Sequence, residues 1–390
     1  MNLRSWLLHA ASLKLTVALL TAGMFLTLAG TLAQTNNGIW MVVDEYFRSL
    51  VVWVPFQLFF HEETLRLPGA IPFPGGLTIG TLLFVNLTAA FIVRFTWSIK
   101  RVGVIISHAG VILLLAGEFV TGMAATEGRM TIDEGGSANY TEDNRTSELA
   151  VVDRSNAQED HVVVVPQRLL GTGRRVVDPR LPFDIEVLDW MPNSGLLGPM
   201  QATKSQLERA DAGLGTQIAA VRVPEATGVD GGTIDVPSAY VRLVNGGTKL
   251  GTFLVSVGLA SEQPVTFGGK TYDISLRFKR DYKPYTVNLI DFKHDRFLGT
   301  NTARNFSSLV RLKDPKRNVD REVLIYMNNP LRHAGETFYQ SSFNGETTTV
   351  LQVVRNPGWM LPYFSCGMVT VGLLIHFGVR LAAPIRRNVR

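Results

Sequence analysis

Four long apolar runs interrupt the chain, at about Leu15–Ala33, Leu77–Phe95, Val102–Gly122 and Trp359–Val379. Each approaches the ~20 residues with which a helix crosses a bilayer. The first follows Arg4 and Lys14, as a signal peptide would. Its apolar run exceeds the ~7–15 residues of a leader core, so it reads as an anchor. Between the third and fourth runs the pattern changes. Ile274, Leu276 and Phe278 alternate with Ser275, Arg277 and Lys279, the period-two mark of a half-buried strand. Further strands are predicted at His161–Val165, Phe183–Asp189, Tyr240–Val244, Thr252–Val257, Tyr285–Phe292, Ser308–Leu312, Glu322–Met327 and Thr347–Val354. Turn pairs such as Gly246-Gly247, Gly268-Gly269, Asp314-Pro315 and Asn329-Pro330 separate many of them. Many short strands suggest an antiparallel sandwich or open barrel. The stretch Asn193–Gly215 fits least well and is expected to hold a short helix or a loop.

The pattern therefore predicts a polytopic α-helical membrane protein with four transmembrane helices. A large mostly-β domain is inserted between helices 3 and 4. The expected parts are residues 1–122 with three spans, a β-rich domain at 123–355, and the last span with a basic tail at 356–390.

Charge adds direction. Basic residues flank the first span (Arg4, Lys14), fill the loop between the second and third (Arg94, Lys100, Arg101) and follow the last (Arg380, Arg386, Arg387, Arg390). The first loop instead holds Asp44, Glu45, Glu62 and Glu63 against Arg48 and Arg66. The positive-inside rule then places both termini in the cytoplasm and the β domain outside it. That domain has 28 acidic and 27 basic residues, so the net charge of +5 belongs to the membrane part. No basic surface is left to attract phosphates, which argues against nucleic-acid binding.

Candidate chemistry is sparse. No GxSxG, HExxH, Walker A or dinucleotide fingerprint occurs. The single cysteine, Cys366, excludes an intrachain disulfide and any CxxC motif. His161, His294 and His333 lack metal-ligand spacing and read as surface or turn residues. Asn139, Asn144 and Asn305 begin glycosylation-type triplets, a short and weak pattern. Phe338, Tyr339 and Phe343 read as core aromatics of a strand, with contact to a partner as the alternative.

Polar residues inside the spans carry more information, because ionisable groups at membrane depth are costly and usually functional. These are His108 and Glu118 in the third span and Cys366 and His376 in the fourth. Glu118 lies near the outer end, where a carboxylate is cheap, and Cys366 reads as a small apolar residue. At 100° per residue, Gly103, Ser107, Gly110, Leu114, Gly117 and Thr121 form one narrow stripe suited to a closely packed helix. His108 lies roughly opposite, with Val104, Val111, Ile112 and Leu115. His108 is expected ~9 Å and His376 ~6 Å from the inner edge. His376 shares its face with Ser365, Val369 and Gly372. Two imidazoles at similar depth suit bis-His haem ligation or a proton relay. They equally suit hydrogen bonds to neighbouring carbonyls, or a His376 that snorkels to the headgroups.

Several blocks resemble the ResB/CcsB family of the System II cytochrome c biogenesis pathway. They are Ser12-Leu13-Lys14-Leu15 through Gly30-Thr31-Leu32-Ala33-Gln34, and Ser107-His108-Ala109-Gly110 through Gly117, Gly122, Gly128 and Asp133-Glu134-Gly135. Next come Ser307-Ser308-Leu309-Val310 and Met327-Asn328-Asn329-Pro330-Leu331, continuing through Gly335 to Phe338-Tyr339-Gln340-Ser341-Ser342-Phe343. Asn356-Pro357-Gly358 opens the last span. The region Asn193–Ile234 is the least family-like.

The resemblance implies a subunit that helps carry haem b across a bacterial inner membrane (or a thylakoid membrane, if plastid-derived) and presents it to apocytochrome c for thioether attachment. It implies a ResC/CcsA-type multi-span partner bearing the tryptophan-rich haem segment, with which the chain would form a holocytochrome c synthase complex. By position, His108 corresponds to the family's membrane histidine, proposed as an axial haem ligand. His376 aligns with no family ligand and stays a second candidate from its depth alone. Lacking an outer cysteine, the chain would need a thioredoxin-like partner to reduce the apocytochrome. Two other readings remain: a membrane-anchored adaptor whose β domain docks subunits without haem, and an insertase or transporter. The last expects more charge across the spans than Glu118 and two histidines.

Overall fold

The computed structural model describes residues 3–60, 65–95, 98, 101–156, 159–227, 233–259, 261–296 and 303–388. Glu62, Glu63, Lys100 and Arg390 of the charge pattern lie outside the described residues. The chain divides into two compact units. One contains Met1–Thr126 and Arg355–Arg390, the other Glu127–Ala226 and Thr233–Val354.

Four helices in the first unit are long and apolar enough to cross a membrane: Leu13–Ala33, Gly76–Arg94, Val102–Ala124 and the segment Leu361–Leu381 of the helix Leu361–Asn388. They are called here the first to fourth apolar helices. A short helix, Leu3–Ala10, precedes the first and breaks at Ala11–Ser12. Pro362 sits in the opening turn of the fourth, where a missing N–H costs nothing.

The connection between the first two helices contains a hairpin that the polar–apolar alternation does not announce. Strands Val51–Pro55 and Ala70–Pro74 pair antiparallel, Val51 opposite Pro74 and Pro55 opposite Ala70. Val52 and Val54 are buried with Leu26, Ala29 and Ala33 of the first helix and Ile79 of the second. Close approach here requires glycine. A Cβ on Gly76 would lie 2.5 Å from the Phe47 carbonyl oxygen, and one on Gly75 would overlap Ser49.

The second unit is mostly β, as the pattern predicts. Its main sheet has ten strands: β1 (Thr126–Asp133), β2 (Ser137–Asp153), β3 (His161–Pro166), β4 (Gln263–Phe267), β5 (Lys270–Arg296), β6 (Ala303–Asp314), β7 (Val319–Tyr326), β8 (Leu331–His333), β9 (Glu336–Asn344) and β10 (Thr348–Arg355). The order is β7-β6-β5-β2-β1-β10-β9-β8, with β4 paired to β5 and β3 to β2. A second sheet of four strands is built from Arg175–Val176, Asp184–Met191, Ser238–Asn245 and Thr248–Ser256. Ser194–Leu197 pairs with Ala219–Arg222, and Lys204–Leu207 is the short helix expected in that region.

The architecture combines the two expected forms. Leu149, Val151, Val165, Val265, Ile274 and Leu276 of the main sheet meet Ile185, Val187, Val241, Leu243, Phe253 and Val255 of the four-stranded sheet, as in a sandwich. The rest of the main sheet encloses a separate core of Met130, Ile132, Tyr285, Val287, Leu289, Val310, Leu312, Ile325, Phe338 and Leu351, as in an open barrel. β5 is 27 residues long and serves both cores. Its register to β2 shifts between Tyr282 and Val287, around Pro284, a residue that interior strands tolerate only at such irregularities.

Candidate functional site

The small-residue stripe of the third apolar helix is its seam with the fourth. Gly103, Gly110 and Gly117 are buried there. A Cβ on Gly103 would lie 2.5 Å from the Gly372 carbonyl oxygen and from the His376 amide nitrogen. One on Gly110 would lie 2.9 Å from the Ser365 carbonyl oxygen, and one on Gly117 would lie 2.9 Å from Leu361 Cβ. Ser107 Oγ donates to the Gly103 carbonyl at 3.0 Å and reaches the Val369 carbonyl at 3.4 Å. At the far end Thr121 donates to Asn356 Oδ1 at 3.3 Å, and the same oxygen accepts from the Gly358 amide at 2.8 Å. Two helices without side chains at their crossing thus approach backbone to backbone.

His108 lies away from that seam and is exposed. Its Nδ1 is 2.9 Å from the Val104 carbonyl oxygen. A carbonyl only accepts, so Nδ1 carries the proton and Nε2 keeps its lone pair. The ring of Phe95 meets the imidazole edge-on at 4.9 Å. This is the carbonyl-bonded arrangement, and it is also how a metal-binding histidine is commonly oriented through its other nitrogen.

His376 is half-buried, with its ring 5.4 Å from Phe377. Its backbone lies against the Gly103 position. From Gly103 to His108 the helix advances ~7.5 Å and turns ~140°. The two histidines therefore sit on different sides of the third helix, and no hydrogen bond or ring contact joins them among the described residues. Glu118 and Cys366 are exposed.

Asn86, in the second apolar helix, was open to the same reasoning that picks out His108 but is absent from the candidates. It is 1% exposed. Its Nδ2 donates to the Ala10 carbonyl at 2.6 Å and the Ser12 carbonyl at 3.1 Å, and its Oδ1 accepts from Thr16 at 2.6 Å. It gives the Ala10 carbonyl a donor where the helix breaks at Ala11–Ser12 and adds a second to the Ser12 carbonyl, which already accepts from the Thr16 amide. A mid-span amide was the signal.

In the β domain, two of the three scattered histidines are not surface residues. His294 is stacked on Phe343, ring centroids 4.9 Å apart, and its Nε2 lies 3.2 Å from Glu346. His333 is buried, its Nε2 2.8 Å from Asp314 Oδ2, which also accepts from Arg317 at 2.9 Å. Barrel closure buries them, a long-range effect that local spacing does not encode. His161 is exposed. Phe338 is buried in the barrel core, Phe343 packs partly against it, and Tyr339 is exposed.

Residues far apart in sequence converge in this barrel. Ser308 donates to Gln340 Oε1 at 2.7 Å and lies 2.7 Å from Thr349 Oγ1, which accepts from Gln340 Nε2 at 2.9 Å. Lys283 bonds Glu336 at 2.6 Å, and the Tyr285 hydroxyl bonds the other oxygen of the same carboxylate. Burial, reinforced by that carboxylate, pushes the Tyr285 hydroxyl well above the usual tyrosine range. His333 and Glu336 flank a two-residue turn in which Ala334 and Gly335 both have positive φ, the geometry of a tight hairpin.

Residues 251–350 match the model of the ResB-like family. That segment is ResB-like. A 92-residue stretch is also 33% identical to Protein NrfI of Wolinella succinogenes, covering 23% of this chain and 10% of that protein. The aligned stretch is thus about a tenth of the relative's length. The ResB-like segment holds the Ser308–Gln340–Thr349 triangle, the Lys283–Glu336–Tyr285 cluster and the Asp314–His333 pair. His108 lies outside it.

Proposed function

We propose that this ResB-like chain is a membrane-spanning subunit of a cytochrome c biogenesis complex, with His108 as an axial ligand to haem b in transit. The observation that supports this reading is the state of His108. It is an exposed imidazole on an apolar helix, with Nδ1 engaged and no partner on Nε2 among the described residues. At membrane depth such a group is costly unless a partner meets it. The donor set fits the iron of haem, which is held by neutral imidazole nitrogen. Haem would supply that iron and two vinyl groups for thioether formation. The chain's own residues do the holding: Val104 fixes the tautomer, and Phe95 limits rotation of the ring.

A ResC/CcsA-type subunit shares the site, and the second ligand comes either from that partner or from His376 of this chain. Cys366, in the fourth helix, is the chain's single thiol. Apocytochrome reduction therefore falls to a thioredoxin-like partner. Both termini are cytoplasmic in this reading, and the β domain faces apocytochrome c across the membrane.

The test is the haem spectrum of the chain purified with and without its partner. His108→Ala lowers haem content or alters ligation, and added imidazole restores the spectrum. His376→Ala asks the same of the second candidate. Unchanged content and ligation in His108→Ala sinks the assignment. An adaptor that binds no haem is the second reading, favoured by a family match that lies wholly within the β domain. It predicts a complex that assembles without haem and ignores His108→Ala.

A further inference from the structure

The hairpin between the first two apolar helices has two apolar faces, and among the described residues only one is packed against the helices. Val52 and Val54 point into the helices. The opposite face carries Val51, Trp53 and Pro55 on one strand and Ala70, Pro72 and Pro74 on the other, with no polar side chain. Trp53 is 60% exposed. A hairpin standing in water would alternate apolar and polar positions.

Its depth is set by its contacts. Phe73 and Phe59 pack on Phe25 of the first helix at 4.8 and 5.9 Å. Phe25 lies eight residues, or ~12 Å, before the helix end at Ala33. The hairpin thus folds back along the last two turns of a helix read as spanning, instead of standing above it.

The register completes the picture. Gly75 donates to the Leu50 carbonyl and Phe56 to the Gly69 carbonyl, so these pairs bracket the ladder. Alternation then makes Val52–Phe73 and Val54–Ile71 the bonded pairs. Val51, Trp53, Pro55, Ala70, Pro72 and Pro74 direct their backbone groups to the free edges. At Pro55, Pro72 and Pro74 that edge has no N–H to leave unsatisfied. Stripped donors suit an edge placed in a medium that offers few hydrogen bonds, and they also block pairing with another strand.

We propose that this hairpin lies in the outer-leaflet interface, with the Val51–Trp53–Pro72–Pro74 face against lipid at the boundary of headgroups and acyl chains. The inference rests on the spanning reading of the four helices. It gives the chain a lipid-contacting surface apart from its helices, with Trp53 placed as interfacial tryptophans are.

The test uses the full chain in phosphatidylcholine–phosphatidylglycerol vesicles, with Cys366→Ser as background. Single nitroxide labels are placed at Trp53→Cys, Met24→Cys and Met200→Cys. Met24 is exposed on the first helix, and Met200 is fully exposed in the β domain. Collision rates with oxygen and with a water-soluble nickel chelate report depth. The expected result puts Trp53 ~5–10 Å into the interface, as for an amphipathic element, between a deeper Met24 and an aqueous Met200. A Trp53 label that matches Met200 overturns the proposal while leaving the spanning reading intact. A label shielded from both probes overturns it in favour of a protein cover. A Met24 label open to the chelate removes the spanning reading and the proposal with it.

Discussion

Replacing Gly103 by alanine tests the seam between the third and fourth apolar helices most directly. The added Cβ would meet the Gly372 carbonyl oxygen and the His376 amide nitrogen at 2.5 Å and His376 Cα at 2.8 Å. These are backbone atoms that no rotamer change can move, and the contact is about 1 Å short of ordinary van der Waals distance. The fourth helix must shift by about that much, and overpacking of this kind costs about 1–3 kcal/mol. Gly110→Ala and Gly117→Ala meet their nearest atoms at 2.9 Å, about 0.4 Å farther than Gly103→Ala does, and fall at the lower end of that range. Gly122→Ala, on the same helix, meets nothing within 4 Å and is expected to leave stability unchanged or raise it by up to about 1 kcal/mol through helix propensity. Thermal unfolding of the full chain in detergent reads the series. Disulfide trapping between Ser107→Cys and Val369→Cys, both of which already carry side chains at the seam, reports the separation of the helices in a Cys366→Ser background. If Gly103→Ala melts with Gly122→Ala and leaves the trapping yield unchanged, the seam is wrong.

Three further outcomes follow from buried polar groups. Asn86→Leu removes the side-chain donor to the Ala10 carbonyl, while the Ser12 carbonyl keeps the Thr16 amide, and is expected to cost about 1–3 kcal/mol in detergent melting; an unchanged midpoint would show that the break at Ala11–Ser12 does not depend on Asn86. Glu336→Ala removes the buried one of the two carboxylates on Lys283, leaves Asp281 at 2.7 Å, and takes the hydrogen-bond acceptor from the buried Tyr285 hydroxyl; it should destabilise the β domain by about 1–3 kcal/mol, read by near-UV circular dichroism, whereas an unchanged stability would count against a dry cluster. Burial raises the Asp314 carboxyl, but hydrogen bonds from His333 and Arg317 outweigh it and hold the group below the usual carboxylate range. Its stabilisation is therefore complete above the unfolded value of about 3.9 and fades as pH falls through the lower folded value. Asp314→Asn should flatten that part of the acid-unfolding curve, and an unaltered slope would refute the assignment.

Much of the fold is legible because it rests on local patterns. Twenty-residue apolar runs appear as helices within a few residues of their expected ends, and the glycine stripe on the third helix marks its partner surface before that partner is known. The 17-residue strand β2 is less visible. Its half from Ser137 to Thr146 is largely polar and lies outside the predicted strands; in the sheet it pairs with β5, where Glu142 meets Arg280. The hairpin at Val51–Pro74 escapes for the opposite reason, since apolar residues on both faces erase the alternation. His108 stands out as a lone ionisable group, whereas the burial of His294 and His333 follows from pairings tens of residues apart. Its orienting bond to Val104 needs the helix coordinates, although an i−4 carbonyl is within reach of any helical histidine.

The shared strand β5 bears on how the β domain fails. Its first half lines the sandwich and its second half lines the barrel, so neither core can open without peeling backbone that the other still holds. Two cores on one unbroken ribbon behave as a single cooperative unit: a melt should show one transition, and damage to the sandwich should be felt at the Ser308–Gln340 side of the barrel.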